Sequence, residues 1–122
     1  MARFRLAQPA RVDLAAILET SQERWGELGR RRYTSLLTAA LRLVAADPES
    51  PLTRDRADLA PGVRSLHVKH ASDHGAVHAP VHVLYFRIAR PGMLEILRVL
   101  HERVEPSVPL HARRAKRRPG RR

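Results

Sequence analysis

Apolar residues recur at helical spacing through the first half of the chain. Leu14, Ile17, Leu18, Ser21 and Trp25 fall at i, i+3, i+4, i+7 and i+11, which lines one face of a helix. Pro9 stands where helices readily begin, because its fixed φ suits the first turn. Gly26 and Gly29 bracket a break, and Tyr33, Leu36, Leu37, Ala40 and Val44 then repeat the spacing up to Asp47-Pro48. The residue before a proline avoids helical geometry, so the second helix should stop there. Two amphipathic helices joined by a short glycine-containing link predict an antiparallel helical hairpin.

The rest of the chain alternates at strand spacing. Residues 3–6 read as a short strand ahead of the helices. Residues 47–62 hold three prolines and mixed charge and read as a connecting loop. Three strand-like runs follow: Val63–Val68, Val81–Ile88 and Met93–Leu100. The second, VHVLYFRI, is the richest in β-branched and aromatic residues and belongs in the middle of a sheet. Arg90-Pro91-Gly92-Met93 is a tight turn in which Pro91 presets φ and Gly92 takes the positive φ of a type II turn. The expected fold class is α+β: an N-terminal strand, the helical hairpin covering one side of the sheet, then a three-stranded antiparallel meander. This makes a four-stranded, mostly antiparallel sheet.

Composition narrows the setting. The chain of 122 residues has room for one modest core, and with 4% aromatic residues that core must be largely aliphatic. The absence of cysteine excludes disulfides and thiolate metal sites and fits a reducing compartment. Charges at the N-terminus where a leader would need an apolar run, and no apolar stretch near roughly 20 residues, lead to the expectation of a cytoplasmic protein with no membrane partner. The net charge is +11, but seven cations fall in residues 111–122, which leaves 16 cations against 12 anions elsewhere. Residues 1–104 are therefore expected as the folded domain and 105–122 as a basic, disordered tail. Such a tail suits either solubility or sequence-blind contact with nucleic acid.

The segments taken together resemble the ParE/RelE toxin superfamily of type II toxin–antitoxin systems, and its ParE branch in particular. Phe4-Arg5-Leu6, Asp13-Leu14 and Glu23-Arg24-Trp25-Gly26 resemble the first half of these toxins, and Tyr33 with Leu36 the second helix. Asp58-Leu59-Ala60-Pro61-Gly62-Val63-Arg64-Ser65 is similar to the family's entry into the meander. Leu84–Ile88 and Glu95–His101 resemble its last two strands. The resemblance implies a toxin that arrests growth by binding DNA gyrase, without hydrolytic chemistry or a cofactor. It also implies a cognate ParD-like antitoxin whose acidic C-terminal segment neutralises it. RelE relatives instead cut mRNA on the ribosome, and a non-toxic nucleic-acid-binding module is the third reading.

Ribonucleolytic cleavage needs a proton acceptor for the 2′-hydroxyl and cations on the transition state. Arg64, Arg87, His101 and Arg103 are the residues that could supply them, but no tyrosine follows Tyr85. If the action is binding, the target contacts are expected at Arg64, Lys69, Arg87, Arg98, His101 and Arg103, and the antitoxin contacts at Trp25, Tyr33, Leu59 and Tyr85. Trp25 reads either as a plug at the hairpin tip or as an exposed contact. His67, His70, His74, His78 and His82 share spacings of three and four, but with Gly75 and Pro80 among them they read as a solvated hairpin loop. No metal site is expected from them. No P-loop, GxSxG, HExxH or dinucleotide glycine signature is present.

Overall fold

A computed structural model describes residues 2–72, 77, 79–104 and 106. The elements in chain order are β1 (Arg3–Leu6), α1 (Gln8–Ala46), β2 (Arg54–Asp55), β3 (Val63–His67), a 3-10 turn (Val68–Ala71), β4 (His82–Arg90) and β5 (Met93–His101). The proposed tail, apart from Pro106, and His74 and His78 lie outside the described residues.

The helical region differs from expectation in its join. In place of two helices and a link there is one span, with a single non-helical residue, Gly26, at φ 74°, ψ −172°. Gly29 lies inside the helix. A Cβ at Gly29 would fall 2.4 Å from the Cβ of Trp25, so the tight join needs that glycine too. The two limbs nevertheless fold back on each other. The Ala2 amide donates to the Ala45 carbonyl at 2.8 Å. A straight helix from residue 8 to 45 would be about 55 Å long, whereas residues 2–8 reach at most about 20 Å. Across the join, Arg30 Nη1 donates to Gln22 Oε1 at 2.9 Å. Ala10 from the first limb and Tyr33, Leu36, Leu37, Ala40 and Val44 from the second share one core.

The sheet has five strands in the order β1-β5-β4-β3-β2, not four. The meander β3-β4-β5 is antiparallel as expected, but it sits inside a mixed sheet because β1 runs parallel to β5, from Arg3↔Met93 to Leu6↔Ile96. The extra strand, β2, lies within the expected loop, where Arg54 and Asp55 pair with Ser65 and Arg64. Two residues are too few to show an alternating pattern, so only pairing reveals them. β4 occupies the middle of the sheet, and Gly92 takes φ 81° in the turn between β4 and β5.

Both faces of the sheet bury apolar side chains. Leu66, Leu84, Phe86, Leu94, Ile96 and Val99 pack beneath α1. On the other side Leu59, from the loop after β2, covers Val63, Tyr85, Leu97 and Leu100. The register slips between Tyr85↔Arg98 and Phe86↔Ile96, which leaves Leu97 as an extra residue in β5. This bulge brings Arg98 to α1. Arg98 Nε and Nη2 donate to the Asp13 carboxylate at 2.8 and 2.9 Å, and the Val99 amide donates to the same carboxylate at 3.0 Å. β1 has ended at Leu6, so Asp13 accepts from an edge amide that no strand covers.

Candidate functional site

The six expected target-contact residues separate between the two faces and one end of the sheet. Arg64 pairs in register with Phe86 on the helix side, where its Nε and Nη2 donate to Thr53 Oγ1 at 3.1 and 2.8 Å. Arg98 is committed to Asp13 of α1 at the edge of β5, and that bond holds its guanidinium above the usual arginine range. Lys69 is exposed on the 3-10 turn. Arg87 lies on the outer face and donates to Glu95 Oε1 at 2.8 Å, while Arg5 Nε stands 3.8 Å from Glu95 Oε2. A cation–anion–cation row therefore crosses β4, β5 and β1. His101 and Arg103 lie at the far end, where His101 Nδ1 accepts from the Arg103 amide at 3.1 Å.

His101 pairs with His82, five residues before Arg87 on β4, a separation of about 17 Å along an antiparallel strand. Arg64, Arg87, His101 and Arg103 thus do not surround one point. The arrangement offers dispersed charge for contact and no shared centre for proton transfer.

That far end holds two further links that sequence spacing did not reveal, because their partners are 35 and 49 residues apart. His67 Nε2 and Glu102 Oε1 are 2.7 Å apart, and the bond to His67 holds the Glu102 carboxyl below the usual range. Tyr33 Oη and His82 Nδ1 are 2.6 Å apart. Burial pushes His82 down to about 4, with the His101 and His67 rings adding to the effect, and burial raises the Tyr33 phenol. His82 is therefore neutral near pH 7, and in its Nε2–H tautomer Nδ1 accepts from the Tyr33 hydroxyl. Among the described residues no three His, Asp or Glu side chains stand close enough to hold a metal ion.

The His82 shift fixes the sign of a pH effect. Its folded value lies below the ordinary 6.5, so the unfolded chain binds the extra proton between pH 6.5 and about 4. Stability is full above this window and is lost as pH falls through it. The loss should be about 2 kcal/mol, allowing for the screening of a half-exposed ring. Urea unfolding at pH 7 and pH 4.5 should show it, and His82→Asn, which keeps an acceptor for Tyr33 but cannot titrate, should shrink the difference.

Of the four expected antitoxin contacts, Trp25 alone is exposed, at 63%. The chain reverses immediately after it, so among the described residues no element covers the ring, and Arg24 lies 5.8 Å from the ring centre. The plug reading of Trp25 is thereby overturned. Tyr33, Leu59 and Tyr85 are buried, Tyr33 in the core under α1 and the other two in the outer cluster.

Residues 4–106 match the model of the ParE toxin of type II toxin–antitoxin systems. The chain belongs to the ParE toxin family. It is 28% identical over 103 residues to Toxin ParE1 of Mycobacterium tuberculosis, in both the CDC 1551 and H37Rv strains, across 84% of this toxin and 92% of that one. Its fold is that of a chain from the chromosomal ParDE system of P. aeruginosa. The two superpose with a TM-score of 0.61 at 18% identity, over 83% of this toxin and 96% of that chain. Among the toxin's described residues no helix is long and apolar enough to cross a membrane.

Proposed function

We propose that this ParE toxin acts by binding DNA gyrase in the cytoplasm and that a cognate antitoxin neutralises it. The observation that carries a binding action is the dispersal of the candidate catalytic groups: Arg64 and Arg87 are engaged by Thr53 and Glu95, and His101 lies a strand's length from Arg87. The exposed Lys69, His101 and Arg103 side chains, with the half-exposed Arg87, are the target contacts this reading favours. Trp25, with Leu28 beside it at 57% exposure, is an apolar contact for the antitoxin. Acidic antitoxin side chains would speed association with the basic surface.

The test is gyrase supercoiling with purified, antitoxin-free toxin, scoring both inhibition and trapped cleaved DNA. Inhibition reversed by added antitoxin is the expected result. No effect from folded toxin would sink the gyrase reading and move the weight to mRNA cleavage on the ribosome.

A further inference from the structure

Beyond the last strand the chain turns back across the outer sheet face, and the fold forms a cleft beneath it that the gyrase reading does not use. The Glu102 amide donates to the Val81 carbonyl at 2.7 Å and the Val104 amide to the His101 carbonyl at 2.9 Å. The His67–Glu102 bond ties this segment to β3. Between the segment and β2–β4 lies a cleft of about 440 Å³ walled by Arg54, Arg56, Arg103 and Pro106, with Ser65 and Tyr85 in its floor. That volume accommodates a nucleotide but not a duplex.

Its charge is lopsided. Three arginines line it against one carboxylate, Glu102, which already bonds His67. Arg56 is fixed in place: Asp58 takes its Nε and Nη2 at 3.0 and 2.9 Å, and its guanidinium lies 5.9 Å from the Tyr85 ring centre. Arg54 and Arg103 are exposed, and neither side chain makes a hydrogen bond or close ion pair with another described residue; Asp58 attracts Arg54 and Glu102 attracts Arg103 only at longer range. Guanidinium forks match phosphate oxygens in geometry and charge. Residues 111–122 carry seven further cations in the sequence.

We infer that this cleft is a phosphate-recognition site that takes the backbone of a single-stranded nucleic acid, with the exposed Arg54 and Arg103 as its two contacts. The site binds and does not cut, and it stands whether or not gyrase is the target. It is tested by fluorescence polarisation of a labelled octathymidylate against the full chain over a salt series. Arg54→Ala combined with Arg103→Ala should weaken binding at least tenfold. The same pair should reduce the slope of log affinity against log salt by about 1.4, since each single-strand phosphate contributes about 0.7. Both residues are exposed, so the variant should melt like the parent.

A second variant, with the seven tail cations changed to glutamine, should retain salt-dependent binding that Arg54→Ala and Arg103→Ala then remove. Unchanged affinity in the cleft variant, or loss of all binding with the tail cations, would overturn the site. Amide shifts at Ser65 and Arg103 produced by pyrophosphate but not by the oligonucleotide would overturn the nucleic-acid source and assign the cleft to a free phosphate compound.

Discussion

Asp13→Ala should lower the unfolding free energy by about 3 kcal/mol, the low end for breaking a buried ion pair because both side chains keep some exposure. One carboxylate accepts from both Arg98 nitrogens and from the Val99 amide. The side chains are only 12% and 19% exposed, so removing Asp13 strands a largely buried cation and an edge amide together. In a domain of this size the melting temperature should fall on the order of 15 °C. Asp13→Asn should lose less, because its side-chain oxygen can still accept from Val99. Asp13→Ala paired with Arg98→Met should recover part of the loss, since no charge then remains without a partner. If Asp13→Ala melted within a degree or two of the parent, the clamp between α1 and the β5 bulge would have no energetic role.

Gly26→Ala should cost about 3 kcal/mol, the upper end for a residue forced into a sparsely populated backbone region. Nothing lies within 4 Å of where the new Cβ would stand, so the cost is conformational and not a clash. The values φ 74°, ψ −172° are the mirror image of ordinary extended backbone. A D-alanine introduced there by semisynthesis should therefore unfold near the parent midpoint while L-alanine does not. Urea unfolding followed by circular dichroism reads both variants. Equal stabilities for the two enantiomers would mean that the reversal does not depend on Gly26.

Local pattern made much of this molecule legible. The tight turn at Pro91-Gly92, the central place of β4 and the apolar faces of both helical limbs follow from residues close together in the chain. The features that escaped depend on distant partners. β2 is two residues whose only mark is pairing with Arg64 and Ser65. Trp25 continues the helical stripe by spacing, yet the reversal one residue later leaves nothing to cover it. Arg64 and Arg98 read as available cations, but alternation along a strand does not say which face a helix will occupy, and a bulge shifts the count. Thr53 and Asp13 therefore claim both side chains. The cleft escaped for a further reason: its walls come from Arg54 and Arg56 and from Arg103, Val104 and Pro106, brought together only by the strands between them.

The pairing of β1 with β5 sets an order on synthesis. Arg3 cannot meet Met93, nor Asp13 meet Arg98, until the last strand has left the ribosome. At roughly 5–20 residues per second this means a wait of several seconds to some twenty seconds after the first strand is made. For part of that interval, from the completion of α1 until β3 and β4 follow, the nascent chain holds a helical hairpin with its apolar stripe uncovered. Contacts so distant also slow the closing step itself. The newly made chain therefore completes its fold only once β5 has emerged, and under the proposed function this delay gives antitoxin already present a period in which to meet it first.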